Sequence, residues 1–205
     1  MVKVMSAIKA KTTEKKSRNL KREAILRAAL KVFASGGVNG VPMPKLAQQA
    51  GISTGLIYRY FDSKEALVNE LYQEQKAKMA ALLFDNLPAT KDPYESYCEV
   101  WRRMVDYAIN CPEAFRFLEM QDHRPYLTKQ TDKVERSILS PLVAYYREMQ
   151  ERKIYRSDMR PEILLTIFWG AFVNLFKSQG YGLITLSEQD ILDSREGCWH
   201  ILIGK

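Results

Sequence analysis

Ile25, Ala28, Ala29, Val32 and Phe33 recur at i, i+3, i+4, i+7 and i+8. That spacing gathers apolar side chains onto one face of an α-helix. The period returns along the whole chain, and glycine or proline punctuates the runs. Gly36-Gly37 ends the first run, because glycine accepts the left-handed geometry of a helix C-cap. Pro42 and Pro44 open a second, short helix, where a missing N–H in the first turn costs nothing. Leu46, Ala47 and Ala50 form its inner face, and Gly51 breaks it. Ser53 or Thr54 can cap a third helix that ends near Phe61. Asp62 and Glu65 stand at capping-box spacing ahead of a long fourth helix with Leu67, Val68, Leu71 and Tyr72 inward.

After Leu87-Pro88 the composition changes. Asp92-Pro93 reads as a cap followed by a first-turn proline, and Tyr94, Tyr97, Cys98, Trp101, Met104, Val105 and Ala108 line one stripe. Pro112 opens another helix carrying Phe115, Leu118 and Met120. A further helical stretch covers about 128–152, with Pro141 expected to break or kink it. Pro161 opens PEILLTIFWGAFVNLFKSQG, which is apolar on nearly every side. YGLITL is a link, and Ser187 caps a last helix toward Ile201. No stretch alternates as a strand does, so the fold class is all-α. The expected organisation is a flexible basic arm over 1–17, a three-helix head over 18–65 and a larger helical domain over 66–205.

Charge divides the chain the same way. Residues 1–65 carry 13 Lys/Arg against 4 Asp/Glu, whereas 66–205 carry 18 against 20. A basic head on a nearly neutral body points to a polyanion as partner. Cys98, Cys111 and Cys198 are few, odd in number and widely spaced, which fits buried thiols in a reducing cytoplasm better than a disulfide frame or zinc site. The chain shows neither a secretory signal nor a membrane-spanning run. No metal, cofactor or catalytic set is expected.

The stretch AGISTGLIYRYFDSKEAL, Ala50 to Leu67, carries the sharpest signal. A helix, a tight glycine turn and a second short helix make a unit that can read DNA from the major groove. Ser53, Thr54 and Gly55 are small residues at the start of that second helix. Gly55 lets backbone approach phosphate or base. Tyr58 and Tyr60 offer hydroxyls to phosphate oxygens, and Arg59 and Lys64 supply charge. Ile57 and Phe61 point inward to hold the helix on Ile25, Phe33 and Leu46. On its own, Tyr58-Arg59-Tyr60 would read as an exposed turn. The basic head and the glycine turn favour the DNA reading.

LAQQAGISTGLIYRYFDSKEALV resembles the helix-turn-helix signature of the TetR family of transcriptional regulators, over roughly Ala24 to Tyr72. The resemblance implies a homodimer, a palindromic double-stranded DNA operator, and a C-terminal helical domain that binds a small molecule and dimerises. By the same resemblance, Thr54, Gly55, Tyr58, Arg59, Tyr60 and Lys64 match DNA-facing positions. One departure stands out. Family members usually carry Ser or Thr where the second helix begins, and here the stretch is Val41-Pro42-Met43-Pro44. Lys45 is the expected partial replacement for that phosphate contact. The basic arm either reaches the minor groove or serves as a solubilising start.

The body is rich in aromatic residues. Ligand cavities are apolar and aromatic with a few polar anchors, but an aromatic stripe at helical spacing is also the ordinary pattern of a core. Trp101, Met104, Tyr146 and Phe172 are the expected cavity residues, because each falls on the stripe of its helix. Candidate polar anchors are Glu119, Gln121, Asp122, His123 and Asn174. Were Glu119 or Asp122 to face the cavity, cationic amphiphiles would suit it. The expected function is a repressor released from its operator by a small apolar or aromatic ligand. An activator of the same architecture, a DNA-packaging protein without a ligand, and a small helical enzyme using Cys111 or His123 stay open as alternatives.

Overall fold

A computed structural model describes residues 2–205, with side chains from Lys16 onward. The described residues form nine α-helices and no strand: α1 (Val2–Gly36), α2 (Met43–Gln49), α3 (Thr54–Tyr58), α4 (Lys64–Phe84), α5 (Pro93–Asn110), α6 (Pro112–Glu119), α7 (Lys129–Glu151), α8 (Pro161–Gly180) and α9 (Glu188–Ile203). A short 3₁₀ turn spans Arg124–Tyr126. No helix among the described residues is long and apolar enough to cross a membrane.

Several boundaries follow from local chemistry. α1 begins at Val2 and so takes in the stretch read as a flexible arm. No glycine or proline interrupts residues 2–35, and Ala, Lys and Glu propagate a helix readily. Pro42 is the N-cap of α2, and Gly51, at φ +66°, turns the chain after it. Ser63, rather than the expected Asp62, caps α4: its hydroxyl accepts from the Ala66 N–H at 3.1 Å. The cap thus lies one residue beyond the Asp62/Glu65 spacing and serves the Ala66 N–H instead of the Glu65 N–H. α7 runs through Pro141 unbroken. Ser187 and Asp190 close a reciprocal capping box on α9, and Gly204, at φ +76°, ends it.

The helices fall into two compact units. The first holds residues 1–74 and 116–127, and the second holds 75–115 and 128–205. In the first, Ile25, Ala29, Phe33, Leu46, Ile57, Phe61, Leu67 and Leu71 are buried, which places the inward faces read from the periodicity in one core. Phe117 stacks on Phe33 at 6.4 Å and is fully buried. His123 is buried too, with its ring 4.4 Å from Phe117 and 5.1 Å from Tyr72 and its Nε2 paired with the Phe117 carbonyl. Gln121 donates to the Phe33 carbonyl at 2.6 Å and accepts from the Val38 N–H at 3.1 Å. It thus gives the Val38 N–H a partner where α1 ends and adds a second donor to the Phe33 carbonyl, which also accepts from the Gly37 N–H.

In the second unit α7 packs on α8, α8 on α9, and α5 on α9. Arg103 closes the end of α4. Its guanidinium donates to the carbonyls of Asp85 at 2.6 Å and Asn86 at 3.1 Å, and Glu99 holds it at 2.8 Å. Arg102 also donates to Glu99, at 2.8 Å. These two guanidiniums hold the Glu99 carboxyl down at about 2. A carboxylate with a lowered folded pKa adds stability above its unfolded value and loses it as pH falls through the folded one. Glu99→Gln is therefore expected to lower the thermal midpoint at pH 7, with the gap closing between pH 4.5 and about 2 in melts across that range. A gap that stays constant with pH would contradict the pairing.

Candidate functional site

Ser53 sits at an extended backbone position, and its hydroxyl accepts from the Leu56 N–H at 3.1 Å, the N-cap of α3. The cap leaves the first turn of α3 at the surface. Ser53 and Gly55 are exposed, and Thr54 is half-buried between them. A Cβ built on Gly55 would meet nothing within 4 Å, so the space over it is open. Ile57 behind them is fully buried and fastens the helix. Tyr58 is 48% exposed, Arg59 is exposed and Tyr60 is half-buried. Lys45 is exposed on α2.

Lys64 opens α4, and its ammonium lies 5.8 Å from the centre of the Tyr126 ring. Partial burial lowers its pKa, and neighbouring Glu65 raises it in part. Tyr126 in turn donates its hydroxyl to Asn39 at 2.5 Å. No local pattern around Tyr126 or Lys64 indicates that this aromatic, far along the chain, lies beside the ammonium.

Two further groups escaped the sequence reading. Arg59 and Tyr60 border a polar cleft together with Ser17, Arg18 and Lys21 of α1. The clue available was the i, i+3 pair Arg18 and Lys21 on one helix face. Arg22 also donates to the Tyr60 carbonyl at 3.1 Å, forks onto both Glu70 oxygens, and lies 4.7 Å from the Phe61 ring centre. It ties α1 to α4 and to the residues just after α3.

The second unit contains a cavity of about 470 Å³. Met79 and Leu83 of α4, Tyr97 and Met104 of α5, Leu142 and Tyr146 of α7, Tyr155, and Phe168 and Trp169 of α8 line it. Met104 and Tyr146 are thus brought to its wall. Trp101 and Phe172 are not among the lining residues. They sit in the buried aromatic cluster, where Trp101 meets Phe172 at 5.6 Å and Phe168 at 6.1 Å. None of Glu119, Gln121, Asp122, His123 and Asn174 borders the cavity. Gln121 and His123 are engaged as described, Asp122 accepts from the Arg124 N–H, and Asn174 is exposed. The argument for a cationic amphiphile therefore falls. On α8, Trp169 and Gly170 border the cavity, whereas Ile163 and Ile167 are exposed.

A helix-turn-helix unit joined to an all-helical unit with an apolar cavity defines a class of two-part helical proteins. Residues 25–71 match the family described as bacterial regulatory proteins, tetR family, and residues 72–203 match the tetracyclin repressor-like C-terminal domain. The chain belongs to the TetR family. It is 27% identical over 103 residues to an uncharacterized HTH-type transcriptional regulator of Haemophilus influenzae, covering 50% of this chain and 55% of that protein. The match thus spans about half that relative's length. It is 28% identical over 189 residues to the HTH-type transcriptional repressor AcnR of Corynebacterium glutamicum, covering 86% and 90%. A TetR family transcription regulator from Marinobacter aquaeolei shares the fold, with a TM-score of 0.78, 21% identity, and coverage of 92% of this chain and 98% of that one.

The cap on α3 yields a stability test. Ser53→Ala should cost about 1 kcal/mol in denaturant unfolding of the DNA-free protein, and Ser53→Asp should restore most of it. Equal stability of all three would show that the hydroxyl does not cap the helix.

Proposed function

We propose that this protein is a homodimeric transcriptional repressor that binds a palindromic operator and leaves it when a small, largely apolar ligand fills the cavity. The first turn of α3 carries the reading: Ser53 and Gly55 are exposed on either side of half-buried Thr54, the space over Gly55 is open, and Ile57 anchors the helix from behind. Small residues on a firmly held helix suit entry into the major groove. Thr54 and Gly55 are assigned to the bases. Ser53, Lys45, Tyr58, Arg59, Tyr60 and Lys64 are assigned to the sugar-phosphate backbone, with Arg18 and Lys21 extending the basic surface. The relation to AcnR, a repressor by name, favours repression over activation.

Exposed Ile163 and Ile167 on α8 and Leu192 on α9 favour a second copy of the chain as partner. A two-fold dimer sets the two reading helices about one turn of DNA apart, roughly 34–36 Å. α4 contributes residues to both compact units. Effector binding shifts α4 and changes the spacing of the heads. DNA and effector then weaken each other by the same factor.

Selection of bound duplexes from random DNA should return a palindrome, and unordered sequences would contradict the dimeric reader. Tyr58→Phe and Lys64→Ala should weaken binding to all sequences alike, with Lys64→Ala lowering the salt slope by about one. Thr54→Ala should instead change which sequences are preferred, as read from repeated selection with the variant.

A further inference from the structure

We propose that the cavity takes an uncharged, largely apolar molecule that presents one hydrogen-bond-accepting carbonyl oxygen to the Tyr146 hydroxyl. The inference deepens the proposed effector role and rests on it for calling the occupant an effector.

The volume of about 470 Å³ lies in the range of small-molecule sites. Most of the wall is aliphatic or aromatic, so the few polar groups decide what enters. Nearly all of them are already satisfied. The Tyr97 hydroxyl donates to the Arg195 carbonyl at 2.6 Å. The Tyr145 and Tyr155 rings meet edge-on at 6.4 Å, and their hydroxyls interact. Thr166 donates to the Glu162 carbonyl at 2.7 Å. Lys76 and Glu135 are opposite in charge, and neither is without a partner. Ser96 is only half-buried.

Tyr146 is the exception. It is 5% exposed, and its contacts are ring contacts, with Tyr155 at 5.1 Å and Tyr145 at 6.3 Å. Its hydroxyl has no hydrogen-bond partner among the described residues. Unlike Trp101 Nε1, it is not fully sealed from solvent. The hydroxyl therefore keeps accessible surface at the cavity wall. Two edge-on rings fix where it can point, and a buried hydroxyl without a partner is costly to keep.

The chemistry of the occupant follows. Burial raises the Tyr146 pKa, so the group stays protonated and donates. Its complement is an acceptor. Lys76 and Glu135 together add no net charge to the wall, so a charged ligand would enter an apolar space without compensation. A ketone, ester or amide carbonyl on an apolar skeleton meets both conditions.

The test uses DNA-free full-length protein and four probes on one skeleton: 4-acetylbiphenyl, biphenyl, biphenyl-4-carboxylate and 4-(aminomethyl)biphenyl, titrated calorimetrically at pH 7. The ketone should bind about fivefold tighter than biphenyl, the worth of one net hydrogen bond, and both ions should bind more weakly than the ketone. Tyr146→Phe should bring the ketone down to the level of biphenyl and leave biphenyl within about twofold. Ser96→Ala should leave the ranking unchanged. Equal affinities for ketone and biphenyl, an ion binding tightest, a Tyr146→Phe loss shared by both neutral probes, or no binding by any probe would overturn the assignment. If Tyr146→Phe does not fold, the ranking on the unaltered protein decides alone. A ketone that binds through Tyr146 without releasing DNA would overturn the effector role and leave the cavity chemistry standing.

Discussion

Arg22 is the contact on which the geometry of the first unit depends. One guanidinium forks onto Glu70, donates to the Tyr60 carbonyl and lies over the Phe61 ring. Those partners belong to α4 and to the residues that follow α3, while Arg22 itself is on α1. A planar fork with five donors can serve all of them at once, which a lysine could not. The hydrogen bond to Glu70 raises the arginine pKa, as expected of a cation held by its partner. α3 is only five residues long and has little propensity to stand alone. Its position is set by the Ser53 cap in front, buried Ile57 beneath and the Arg22 clasp behind.

The segment 116–127 completes that unit from far along the chain. Phe117 fills the space beside Phe33, Gln121 ties off the end of α1, and Tyr126 stands under the Lys64 ammonium. Asn69 of α4 also donates to the Tyr126 carbonyl. α2 and α3 therefore rest on a core that the first 74 residues do not build by themselves. The second unit is organised differently, around tilted and edge-on aromatic rings of α5, α8 and α9 with an apolar cavity beside them.

Periodicity and punctuation made much of this legible. The inward residues of α1, α2 and α4 were readable because apolar spacing reports a buried face directly, and Ser53 because N-capping is local chemistry. Long-range partners were not readable. Nothing near Gln121 or Tyr126 in sequence indicates that they serve α1 and α4, since both contacts exist only after the chain has folded back. The cavity shows the same limit. A stripe tells which residues point inward, but not where packing stops and space begins. Trp101 and Met104 share a stripe on α5, yet only Met104 reaches the cavity wall. The extension of α1 to Val2 is not legible from periodicity, since residues 2–17 are polar and Lys-rich without an apolar period, although no residue there breaks a helix.

Amide hydrogen exchange across residues 53–60, measured with and without a bound palindromic duplex, tests the central claim that α3 is the reading element. The account predicts strong slowing at these amides on binding, with smaller changes along the cavity-lining helices. Unchanged exchange at 53–60, with protection appearing elsewhere while the duplex stays bound, would contradict it.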